Sequence, residues 1–205
     1  IMTDPGSYAS CRDSGAADPL RASCNNLYAG VGLADLDGFH EQNGLNSRLV
    51  LQDGQLVEEV YRCGDGRAIP PGRYAEQLAA VNEHLRAALP YAAPARRAAL
   101  ELLIRYHEGG SLADWRAFQV AWSQDNGSAI EFLGGFLALS LDPRGSKGAF
   151  AAVIGCRDEE RSKELAALAA LLPWFAARMP CDERFRQPAA GAVAAPAIRV
   201  LTATG

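Results

Sequence analysis

Hydrophobic and polar positions alternate in short runs up to about residue 62. They then settle into helical spacing as far as 124, and return to strand-like runs before a last helical pattern. In "SRLVLQDGQLVEEVYR" two runs with β-branched residues meet at Asp53-Gly54, a pair that supplies the positive φ angles of a type I′ turn. The reading is a β-hairpin over residues 47–62. Three helical patterns follow. Tyr74, Leu78, Val81, Leu85 and Leu89 recur every three to four positions, and Pro90 closes the run. "APARRAALELLIRYHEGG" repeats the spacing through Ala98 and Leu102 and stops at Gly109-Gly110. "SLADWRAFQVAWSQ" opens on Ser111 as an N-cap, with Asp114 in a capping-box position. Short connections make these three helices antiparallel neighbours.

Beyond Asp125-Asn126-Gly127, "SAIEFLGGFLALSL" reads as a strand interrupted by Gly134-Gly135, a pair that suits a bulge or a sharp bend. "KGAFAAVIGC" is a second, shorter strand. "DEERSKELAALAALLPWFAARMP" is one helix with acids in its first turn and Pro173 near its end. Residues 1–24 lack periodicity and read as a flexible arm, 25–187 as one folded domain, and 188–205 as an Ala/Pro-rich extended tail. The expected fold class is α+β: a small, strongly bent, barrel-like antiparallel sheet packed against several α-helices. A strand's period of two puts Leu137, Leu139 and Leu141 on the core face, and Phe136, Ala138, Ser140 and Asp142 on the other.

At 49% hydrophobic residues, 205 residues can bury a substantial core. A net charge of -4 with no long Lys/Arg block argues against a nucleic-acid partner. No apolar run is long enough to span a bilayer, and "IMTDPGSYAS" lacks a charged n-region followed by an apolar stretch. A cytoplasmic protein without a membrane anchor is the expectation. Cys11, Cys24, Cys63, Cys156 and Cys181 are widely spaced, odd in number and without a C-x-x-C pair, so reduced thiols are the default and Cys11–Cys24 is the local disulfide alternative.

Candidate chemistry is sparse. His40-Glu41 and His107-Glu108 carry the first dipeptide of a zinc helix without its second histidine, and His84 sits on an exposed helix flank; each reads as structural before it reads as catalytic. No nucleophile elbow, phosphate loop or dinucleotide fingerprint occurs, and the Lys of "GSKG" lacks the rest of a phosphate loop. Trp115 and Trp122 lie seven apart on one helical face and read as core. Asp35 and Asp37 fit either a turn or an acid pair at a cleft edge.

"NLYAGVGLADLDGF", "LNSRLV", "DGQLVEEVYR", "PPGRYAEQL", "AAVNEHLRAALPYA", "ALELLIRYHEGG", "DWRAF", "AW" and "DPRGSKGAF" resemble, in order, the part of the dipeptidyl peptidase III family that precedes its zinc helix. The resemblance runs from about Asn25 to Met179, and "RVLTATG" resembles the start of the family's next segment. It implies a substrate cleft walled by a stretch reading about G-F-I-E-x-Y-x-D-P, whose Glu holds a peptide's amino terminus and whose Tyr assists at the scissile carbonyl. Those two positions are Ala138 and Ser140 here, while the turn Asp142-Pro143-Arg144-Gly145 persists. Neither family zinc motif, H-E-x-x-G-H or E-E-x-R-A-D, occurs in the 205 residues. The expectation is therefore no metal ligands and no cofactor.

Loss of a charge and a ring from the implied cleft wall favours a largely apolar small molecule or a peptide-like metabolite as partner. Phe136, Ala138, Ser140, Asp125 and Glu131 are the expected ligand-binding residues. Metal-independent cyclase or isomerase chemistry would rest on Ser140, Asp35, Asp37 and His40. The alternatives are a non-catalytic binding or resistance protein, an interaction module that could form a homodimer through a flat apolar surface, or a fragment of a larger dipeptidyl peptidase.

Overall fold

A computed structural model describes residues 13–23, 26–125, 127–186 and 196–205. The chain divides into two units: residues 1–125 with 134–152 and Gly205, and residues 126–133 with 153–204.

The first unit opens with α1, Pro19–Ala22, capped by the Asp18 carboxylate. β1, Tyr28–Ala29, lies parallel to β2, Ser47–Gln52, which pairs antiparallel with β3, Gln55–Val60. The hairpin is as expected: Asp53 and Gly54 both take positive φ, 50° and 77°. The sheet is mixed rather than antiparallel, because β1 reaches β2 across a loop and not through a hairpin. Leu20, Leu27, Tyr28, Val31 and Leu49 form its buried core.

The helices follow the periodicity closely. They are α2, Ala75–Ala88; α3, Pro94–Gly109; and α4, Leu112–Gln124. Gly110 ends α3 in the left-handed region (φ 78°), and the Ser111 hydroxyl accepts from the Asp114 amide (3.4 Å) to open α4. Sequential neighbours pack on one another. Leu78 and Leu85 of α2, Leu100, Leu103 and Ile104 of α3, and Trp115 and Phe118 of α4 are among their buried residues.

β4, Ile130–Ala138, and β5, Ala149–Asp158, pass from one unit into the other, and with β6, Ala197–Thr204, form a second three-stranded sheet in the order β4-β5-β6. The α+β class is correct. The barrel-like sheet is not: among the described residues there are two separate three-stranded sheets, neither of them closed. β5 is also longer than β4, ten residues against nine.

β4 runs through Gly134-Gly135 as continuous strand, and neither glycine takes a positive φ. The reason for Gly135 is a close approach. A Cβ there would lie 2.8 Å from the Trp115 ring, which is itself buried.

The leucine-inward assignment fails at Phe136 and at Leu139. Phe136 is 2% exposed, wedged between the rings of Tyr61 (centroids 5.0 Å apart) and Phe150 (5.6 Å), whereas Leu139 is 39% exposed. An aromatic ring that fills this gap buries more surface than the leucines could. Because β4 ends at Ala138, strand alternation no longer governs residues 139–142.

In the second unit, α5, Glu159–Ala169, is capped by Asp158, and α6, Leu172–Ala177, begins a separate helix. One helix was expected. Pro173 has no amide hydrogen and its ring clashes with the carbonyl four residues back, so it belongs in the first turn of a new helix rather than inside an old one. The residues read as an extended tail include β6, while 187–195 lie outside the described residues, as do most of the expected N-terminal arm and both cysteines of the Cys11–Cys24 alternative.

Candidate functional site

The turn after β4 is held from below by buried charge. Asp142 has no exposed surface and accepts from the Tyr28 hydroxyl (2.8 Å), the amides of Arg144 (3.1 Å), Ser146 (2.7 Å) and Lys147 (2.8 Å), and the Ser146 hydroxyl (3.0 Å). Burial alone would raise its pKa. The Lys147 and Ser146 amides, then the Tyr28 hydroxyl, outweigh burial, and the carboxyl is held below the usual Asp value. The same burial, with the Asp142 charge beside it, pushes the Tyr28 phenol up.

Lys147, five residues on, is also completely buried. Its ammonium is bonded to the Glu41 carboxylate, to Ser47 Oγ (3.1 Å) and to the Gly44 carbonyl (3.4 Å). Glu41 also takes Arg144 Nη1 at 2.5 Å. Ser47 Oγ donates to Glu58 Oε1 (2.9 Å), and Glu58 accepts the amides of Gln42 (3.0 Å) and Asn43 (2.8 Å). Burial lowers the Lys147 pKa, and Glu41 works against that shift. Three chain segments, 28, 41–58 and 142–147, are thereby fastened into one rigid support for the end of β4.

The expected site residues do not converge. Ala138 is half-buried at the end of β4 and Ser140 is exposed in the turn, but Phe136 is core. Asp35 accepts the Gly32 amide (2.7 Å) and lies 3.6 Å from Arg21, so it closes a short 3₁₀ turn, Leu33–Leu36. Asp37 and His40 are exposed. Asp125 is buried against Arg96, Nε to carboxylate 2.8 Å, which makes it a structural ion pair. Glu131 is half-buried in the part of β4 that belongs to the second unit.

The groups that do converge were visible as letters but not as partners. The Lys of "GSKG" is Lys147, and in the dipeptide His40-Glu41 the carboxylate, not the imidazole, does the binding. Their sequence separation of 106 residues left no local signal.

A zinc ion, implied by the family resemblance, does not fit these residues. His84 and His40 are exposed on separate elements, and His107 is buried with Nδ1 2.8 Å from Asn82 Oδ1. Among the described residues no three His, Cys, Asp or Glu side chains gather as a metal site.

The sequence pattern of peptidase family M49 matches residues 58–205. Dipeptidyl peptidase III from Caldithrix abyssi has a similar fold, with a TM-score of 0.63 and 21% identity over 80% of this chain and 29% of that one. Dipeptidyl-peptidase III from Corallococcus sp. strain EGB has a TM-score of 0.62 and 25% identity over 84% of this chain and 31% of that one. No curated protein matches the chain. It therefore spans under a third of the length of both solved structures. With the family pattern covering well over half of its residues, the chain belongs to peptidase family M49.

Proposed function

We propose that these 205 residues serve as a zinc-free, ligand-holding wall of the M49 fold, receiving a largely apolar small molecule or a peptide-like compound along the end of β4, at Ala138 and Ser140. The supporting observation is the clamp beneath them. A buried Lys147–Glu41 pair and a five-fold hydrogen-bonded Asp142 fix a turn that exposes Leu139 and Ser140 next to the half-buried Ala138. Rigid support under an exposed rim suits binding, since little order is lost when a ligand arrives. Ala138 and Ser140 offer contact surface and a single hydroxyl, not acid–base chemistry.

Titrating the full chain with apolar tripeptides that are N-acetylated and C-amidated should shift the backbone amide signals of residues 137–141. Ala138→Phe should abolish those shifts while thermal unfolding stays cooperative. Shifts confined elsewhere, or a variant that fails to fold because Ala138 packs in the core, would overturn the reading. One zinc per purified chain by elemental analysis would overturn its metal-free part.

A second reading rests on the second unit. Trp174 (53% exposed), Phe175, Leu168, Leu171 and Phe185 are all exposed, and so is β6, an edge strand with Val200 and Leu201 uncovered. Exposed apolar surface on this scale marks an interaction face. A second copy of the chain would bury it. Light scattering should then show a dimer that Val200→Lys dissociates, and a monomer at every concentration would remove this reading.

A further inference from the structure

A cleft of about 430 Å³ lies apart from the turn after β4, lined by Glu58, Glu59, Val60, Arg62, Gly72 and Arg73. The chain builds it by leaving β3, looping through residues 63–71 and returning alongside the strand end. The Gly72 amide donates to the Arg62 carbonyl (3.0 Å) and the Arg73 amide to the Val60 carbonyl (2.9 Å). Any Cβ at position 72 would collide with the Val60 carbonyl oxygen, so the return path requires glycine. The next residue but one, Tyr74, has φ 59° and ψ 27°, a left-handed conformation that is costly for a residue with a side chain. That conformation turns the chain from its bridge beside Tyr61 directly into α2 and keeps Arg73 at the cleft wall.

The charges at this cleft are unequally paired. Glu58 is taken up by two backbone amides and Ser47, and Glu59 is bonded to Arg48 at 2.6 Å. Arg73 stands 3.7 Å from Glu59 and lies over the Tyr74 ring. Arg62 is fixed only through Nε to the Pro70 carbonyl (3.0 Å) and has no acidic partner among the described residues. Two guanidinium groups thus border a small-molecule-sized space with unspent donor capacity.

We propose that this cleft binds the carboxylate of a small organic acid or of a peptide C-terminus, held by Arg62 and Arg73. A planar monoanion matches the guanidinium fork. A phosphate dianion would meet the two glutamates on the same wall. This goes beyond the function proposed above and rests on Arg62 and Arg73, which that reading does not use.

The test is calorimetric titration of the full chain with N-acetyl-trialanine, its C-terminal amide, acetate and inorganic phosphate. The acid should bind about ten- to a hundredfold more tightly than the amide, the worth of one charge-assisted hydrogen bond. Arg62→Gln should remove that difference and Arg62→Lys should restore part of it. Acetate matching the peptide would identify a small-acid site; a peptide advantage would identify a C-terminus. Equal binding of acid and amide, tighter binding of phosphate, an unaffected Arg62→Gln variant, or no saturable binding of any carboxylate would each overturn the proposal.

Discussion

Glu41→Gln will cost the fold about 3–5 kcal/mol, the usual penalty for leaving a buried charge without its partner. Lys147 has no exposed surface, and without the carboxylate its ammonium keeps only Ser47 Oγ and the Gly44 carbonyl. Glutamine preserves the volume, so the loss is electrostatic. The effect carries a pH signature. Burial already holds the Lys147 pKa below its ordinary 10.5, and Glu41 partly opposes that shift. Removing Glu41 lowers the folded-state pKa further. Between that lowered value and 10.5 the unfolded chain binds more protons than the folded one, so stability rises with pH across the window. The variant should regain stability on going from neutral to alkaline buffer more steeply than the parent chain does. Glu41→Gln combined with Lys147→Met should recover most of the loss, because neither charge is then buried. Urea unfolding at both pH values decides it. A single variant within about 1 kcal/mol of the parent would mean that the pair behaves like a surface one.

That pair also shows what a sequence can and cannot disclose. The hairpin turn at Asp53-Gly54, the Gly110 stop and the Ser111 cap were all legible, because each depends on residues within a few positions of one another. The Lys147–Glu41 and Tyr28–Asp142 bonds were not, since their partners are 106 and 114 residues apart and no local pattern links them. The burial of Phe136 escapes the sequence for a related reason. Alternation predicts which residues share a face, but the choice of buried face was made by Tyr61 and Phe150, which come from other segments. Pro173 is readable in principle, since the restriction on its backbone is intrinsic: the periodicity runs one helix through it, whereas the structure has it in the first turn of a new one. The family was legible from nine colinear stretches, and the matched residues 58–205 include most of them.

Acidification from pH 6.5 to 4 will cost the fold roughly 3 kcal/mol through His107 alone, since a pKa shift converts at about 1.4 kcal/mol per unit. The ring is 1% exposed, and burial pulls its pKa down from 6.5 to about 4. Asn82 commits its amide nitrogen to the Ile104 carbonyl (3.1 Å), so its Oδ1 faces His107 and Nδ1 carries the imidazole proton. Nε2 then has no hydrogen-bond partner among the described residues, and protonating it would create a buried N–H with no acceptor among them. The folded chain resists the proton while the unfolded chain accepts it near 6.5. Stability is therefore complete above that pH, falls as the pH drops towards 4, and levels off below. Asp142 does not confuse the window, because its pKa lies below the ordinary 3.8 and its own loss comes at lower pH. His107→Gln, whose side-chain amide can still donate to Asn82, should be less stable at neutral pH yet nearly flat between 6.5 and 4. A variant that keeps the parent's slope would assign the acid sensitivity to another group, and an imidazole resonance assigned to His107, the one that disappears in His107→Gln, titrating near 6.5 in the folded chain would show that the ring is not sealed.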